Sequence, residues 1–106
     1  MYYLIIWDKE LAAIGQDGSL GKFEIPMNLA KFFFQLDSKK FPQLSSLSFD
    51  DFDLFSGSQI ESLVRELSDV INLNSLFAEP INSMLKMILE ANILGKCILF
   101  DPFRSE

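Results

Sequence analysis

Residues 49–73 read F-D-D-F-D-L-F-S-G-S-Q-I-E-S-L-V-R-E-L-S-D-V-I-N-L, and the two halves of this stretch carry different information. In the second half Ile60, Leu63, Val64, Leu67, Val70 and Ile71 recur at i, i+3, i+4, i+7, i+10 and i+11. That spacing draws one apolar stripe along an α-helix. Gln59, Glu61, Ser62, Arg65, Glu66, Ser68 and Asp69 fill the other face. Ser58 followed by Glu61 reads as a capping box, each side chain accepting a backbone N–H left free at the helix start. Removing the Ser58 hydroxyl is then expected to cost about 1 kcal/mol. Asn72 and Asn74 read as stop signals. The first half is a different kind of surface, with Asp50, Asp51 and Asp53 interleaved with Phe49, Phe52 and Phe55.

Working outward toward the N-terminus, Tyr2 to Trp7 (Y-Y-L-I-I-W) reads as a strand closed by Asp8-Lys9-Glu10. Leu11 to Ile14 is open between a second strand and a helical turn. Asp17-Gly18 is a hairpin signal, because both residues tolerate a tight turn, and Gly15 and Gly21 nearby allow a looser one. Leu20 to Ile25 follows as a short strand ended by Pro26, which suits the first turn of a helix reaching Leu36 or Asp37. Its apolar face is Leu29, Phe32, Phe33 and Leu36, and Phe41-Pro42 ends the unit. Leu44 to Leu54 is ambiguous: Leu47, Phe49 and Asp51 alternate with Ser46, Ser48 and Asp50 as in a short strand, or the run is a loop.

Toward the C-terminus, Ala78-Glu79-Pro80 opens a third helix with Ile81, Met84, Leu85, Ile88 and Ala91 or Asn92 on its buried face. Gly95 suits a helix C-cap. Lys96 to Phe100 (K-C-I-L-F) is continuously apolar after its lysine and reads as a central strand, stopped by Asp101-Pro102. Strands near both ends flanking several helices imply an α+β fold: a mostly antiparallel sheet with about three helices packed on one side. The C-terminal strand is expected beside the N-terminal one, and a right-handed α/β arrangement is the alternative.

A chain of 106 residues is expected to form a single domain, 1–106, large enough for a true core. Hydrophobic residues make up 49% and eleven residues are Phe, which argues against disorder. The net charge of -6 disfavours nucleic acid and anionic membrane surfaces as partners, since both demand cations. A basic protein is the natural complement, although moderate negative charge also serves solubility alone. One cysteine, Cys97, excludes an internal disulfide; within its apolar run it reads as buried and inert. The N-terminal apolar run is too short for a signal sequence and lacks a basic flank, and no segment approaches a membrane span. A cytoplasmic protein, monomeric by preference, is the expectation.

The chain has no histidine, which removes the commonest general base and neutral metal ligand. Gly15, Gly18 and Gly21 are spaced by threes and lack the Lys-Ser or Lys-Thr of a phosphate loop. An EF-hand loop starting at Asp51 would need Gly and Glu where Ser56 and Ser62 stand. No enzyme, cofactor or metal is expected. Two readings of the acidic–aromatic cluster remain. Asp50, Asp51 and Asp53 could favour the following helix N-terminus while the phenylalanines tuck into the core. Alternatively, aromatic anchors beside carboxylates are what an interface with a basic protein needs. On the second reading the partner-binding residues are Phe49, Asp50, Asp51, Phe52, Asp53 and Phe55, with Asp17, Glu24 and Asp37 as a separate acidic edge.

Taken together, G-S-L-G-K-F-E-I at 18–25, L-A-K-F-F-F-Q-L-D at 29–37, K-K-F-P-Q-L at 39–44, S-F-D-D-F-D-L-F-S at 48–56 and I-L-F-D-P-F at 98–103 give the chain its character. In these stretches it resembles the small immunity proteins of bacterial toxin–immunity pairs, particularly those of contact-dependent growth inhibition and related polymorphic-toxin systems. The resemblance implies a stoichiometric inhibitor that binds the C-terminal domain of a cognate toxin, often a basic nuclease. Such families share no common binding motif, so it carries over no contact residue. A structural or adaptor domain that self-associates through exposed aromatics is the alternative.

Overall fold

The computed structural model describes residues 1–104. In chain order the elements are β1 (Tyr3–Trp7), α1 (Lys9–Ala13), β2 (Ser19–Glu24), α2 (Met27–Phe34), a 3-10 turn (Leu44–Ser46), β3 (Asp53–Phe55), α3 (Ser58–Leu73), a second 3-10 turn (Ser75–Phe77), α4 (Ala78–Ile93) and β4 (Cys97–Asp101). The strands form one antiparallel sheet in the order β2-β1-β4-β3. The strands nearest the two ends of the chain thus pair at its centre, with Tyr3 opposite Asp101 and Trp7 opposite Cys97. The fold is α+β, with the antiparallel sheet and helical layer that the element order implied.

Alternation along a strand sends successive side chains to opposite faces. Tyr2, Leu4 and Ile6 therefore enter the main core with Ile98 and Phe100, while Tyr3 and Ile5 form a small cluster with Leu99 and Trp7 on the other face. The helices supply the rest of the main core: Leu29, Ala30 and Phe33 from α2, Ile60, Leu63, Leu67 and Val70 from α3, and Ile81, Met84, Ile88 and Ala91 from α4. α2, α3 and α4 consequently cover one face of the sheet.

Leu11 lies in a helix, not a strand. Asp8 caps it, its carboxylate accepting the Glu10 and Leu11 N–H groups at 2.9 and 3.2 Å. Because α1 occupies the β1–β2 connection, Asp17-Gly18 is not a two-residue hairpin turn. The Asp8 N–H instead donates to the Gly18 carbonyl at 2.8 Å, closing the connection onto the start of α1. α2 stops at Phe34, a few residues short of the expected end, and the Asp37 carboxylate accepts the Lys39 N–H in the turn beyond. The alternation over residues 46–51 does not make a strand: a 3-10 turn and a bend stand there, and the strand comes just after, at Asp53–Phe55. Cys97 is buried.

Candidate functional site

β3 divides the acidic–aromatic cluster between two faces. Asp53 and Phe55 pair with Phe100 and Ile98, both main-core residues, whereas Leu54 pairs with Leu99 of the opposite face. Phe55 is a core residue packed edge-on to Phe100 at 5.6 Å, so it is no surface anchor. Phe49 is partly exposed, but its ring sits edge-on to Tyr2 and Phe34 at 5.5 and 4.6 Å and seals the margin of the core. Asp50 and Asp51 are exposed on the bend leading into β3.

Asp53 is half-buried, and its Oδ2 is buried with no hydrogen-bond partner. Burial first, and then the neighbouring Asp51 charge, push its carboxyl above the ordinary range, against the pull of the Ser48 N–H. The Tyr2 hydroxyl is likewise buried without a partner, and burial together with the Asp53 charge pushes it up. Carboxylate charge at this margin is therefore under-compensated within the chain. Between Lys40 and Arg65 the sequence contains Asp50, Asp51, Asp53 and Glu61 and no cation at all.

On the other face Trp7, Phe52, Leu54, Leu99, Asp101 and Arg104 line a cleft of about 360 Å3. Phe52 is 53% exposed and Leu54 42%. Phe103, 55% exposed, stands edge-on to Phe52 at 5.1 Å. The local cause is the D-P-F sequence after β4. Asp101 accepts the Phe103 N–H at 2.8 Å, an Asx turn that places Phe103 and Arg104 at this face. The Arg104 guanidinium then reaches Asp17 at 3.4 and 3.5 Å, and its Nε lies 3.5 Å from Asp101. The Ser19 N–H, and then Arg104, hold the Asp17 carboxyl below its usual range.

The structure thus keeps Asp50, Asp51 and Phe52 adjacent on the surface and withdraws Phe55. Asp17, Glu24 and Asp37 do not form one acidic edge. Asp17 precedes β2 and Glu24 ends it, while Asp37 lines a separate groove of about 600 Å3 with Leu36, Phe41, Asp69 and Leu73. Trp7, Leu54, Leu99, Phe103 and Arg104 were not legible as site residues, although the alternation of β1 already placed Trp7 opposite Leu4 and Ile6. Among the described residues no group of three or more His, Cys, Asp or Glu side chains is placed to hold a metal ion. No helix among them is long and apolar enough to cross a membrane. No protein-family model, curated protein or solved structure matches the chain.

Proposed function

We propose that this protein is a stoichiometric inhibitor of the immunity type, which binds a basic toxin domain in the cytoplasm and blocks it without chemistry of its own. The observation that carries this reading is the exposure of Asp50 and Asp51 beside Phe52, which lines an apolar cleft, within a stretch free of Lys and Arg. Exposed aromatics in a contiguous patch mark interaction surfaces, and desolvated aromatic anchors supply most of the affinity at such surfaces. The flanking carboxylates select a cationic partner and speed encounter.

The test begins with capture from lysate of the source cells at low salt, and then expresses the captured domain alone. The domain should arrest growth, and co-expression of this chain should restore it. The Asp50→Lys, Asp51→Lys double variant, correctly folded, should restore growth poorly. A captured partner that leaves growth untouched, or arrest that this chain does not relieve, would remove the inhibitor reading. The exposure of Phe52, Leu54 and Phe103 also favours a second reading, self-association through this face. That reading requires a dimer insensitive to salt and dispersed by Phe52→Ala, which sedimentation at rising concentration detects.

A further inference from the structure

We infer that the cleft on the sheet face opposite the helices is a receptor for an arginine side chain of the partner, and that Arg104, one of its walls, holds the carboxylates of that site in the free protein. The inference rests on reading this face as a surface for a basic partner, and it names the group that the face takes.

The lining has the two halves that an arginine needs. Trp7, Phe52, Leu54 and Leu99 form an apolar wall for the aliphatic stem and the flat face of a guanidinium. Asp101, itself only 4% exposed, and Asp17 supply carboxylates for the head. Arg104 shows that one guanidinium can reach both acids, which lie far apart in sequence. Its hold is nonetheless poor. Its Nε is buried with no hydrogen-bond partner, and its contacts run from 3.4 to 3.5 Å. Well-formed N–H to carboxylate bonds are nearer about 2.7–2.9 Å. Asp50 and Asp51 stand exposed beside Phe52 in a segment without cations and add negative charge near the cleft, while Lys22, over the Tyr3 ring on this face, acts on Asp17 from the other side. Arg104 lies beyond β4, so its side chain can leave Asp17 and Asp101 without breaking a backbone hydrogen bond of the sheet.

Trp7 is the only tryptophan in the chain and lines the cleft, so its fluorescence reports occupancy directly. The probes are acetyl-Gly-Arg-Gly-amide and its citrulline and lysine counterparts, titrated into the unmodified chain and into Arg104→Ala. If Arg104 is a resident competitor, the arginine peptide should perturb Trp7 saturably and bind Arg104→Ala at least about tenfold more tightly than the parent. The citrulline peptide, equal in shape but uncharged, should give no saturable change. Adding Asp17→Asn to Arg104→Ala should weaken binding about threefold or more. Arg104→Gln, which keeps the stem, stands in if the alanine variant melts early.

Equal affinity for the parent and the Arg104 variants, an equal response to citrulline, or no response at all would overturn the inference. A lysine peptide binding as tightly as the arginine one would overturn the guanidinium assignment. Such failures leave the growth-rescue test untouched, because that test reads neutralisation and not occupancy of this cleft.

Discussion

Glu66 falls on the polar face that the α3 spacing draws, yet the fold buries it to 1% exposure. Its carboxylate accepts the Gln43 N–H through both oxygens at 3.1 Å and the Leu44 N–H at 3.0 Å. It therefore anchors the free N–H groups at the start of the first 3-10 turn, and that turn leads into the acidic–aromatic segment. Glu66→Ala should cost about 2–4 kcal/mol by leaving these donors buried and unpaired. For a domain of this size that lowers the thermal midpoint by roughly 10–20 °C. Glu66→Gln, which retains one acceptor oxygen, should lose about half as much. A Glu66→Ala protein melting with the parent would contradict the role. Two aspartates predict opposite responses to pH. Asp53 has its folded-state pKa raised, so its ionised form costs stability at neutral pH, and that cost fades as pH falls through the raised value. Asp53→Asn should melt higher than the parent at pH 7, with the gain gone by about pH 3. Asp8 is the reverse: a hydrogen bond from Lys96 first, then the Leu11 N–H, depress its pKa. Its contribution is present above the unfolded carboxylate value and is lost as pH falls through the depressed one. Asp8→Asn should therefore melt lower at pH 7 and converge on the parent in acid. Melting curves of the three proteins across this range decide both signs.

At the scale of elements, periodicity made α3 and α4 legible because each runs for 16 residues, long enough for a stripe to declare itself. β3 was not legible. Three residues cannot show a period, and its Asp-Leu-Phe sequence has no strand signature apart from its pairing with β4. The start of α3 shows how a correct element can carry a misread end. Gly57, with φ 57° and ψ -129°, occupies the cap position in a region open essentially to glycine, and Ser58 is already inside the helix. The only reach-back falls earlier than Ser58 and Glu61 implied and is one-sided: among the described residues Gln59 Oε1 accepts the Ser56 N–H at 3.1 Å, with no side-chain bond from the Gly57 cap. Gln59→Ala should therefore cost about 0.5–1 kcal/mol, while Ser58→Ala should stay within about 0.5 kcal/mol of the parent. Equal costs in denaturant titration would restore Ser58 as the cap. The candidate site suffered from the same limit of range. Arg104 and Asp17 meet only because β4 returns beside β1, and no local pattern announces a pair 87 residues apart. Glu66 escaped for a related reason. A glutamate on a helix is assigned to water unless the segment that needs its carboxylate is known.

At the scale of the whole molecule, a net charge of -6 acts on any cationic partner before contact, while the aromatic patch acts only after it. The two contributions should separate kinetically. Asp50 and Asp51 are exposed and stay solvated in the approach, so their attraction is screened beyond about 8 Å at physiological ionic strength. Phe52 contributes only once water is expelled from its ring, a short-range event on which salt has little effect. Asp50→Lys, Asp51→Lys should therefore slow association with the captured basic domain by about tenfold or more at low salt and flatten its salt dependence. Phe52→Ala should leave association nearly unchanged and speed dissociation by about tenfold or more, corresponding to a loss of at least about 1.4 kcal/mol. Stopped-flow or surface-based kinetics at two salt concentrations read both rates. If instead the charge reversal changed only dissociation, Asp50 and Asp51 would be desolvated in the bound state, not held at its rim. If Phe52→Ala changed neither rate, the cleft face would lie outside the interface, and the groove lined by Asp37, Phe41, Asp69 and Leu73 would be the next surface to mutate.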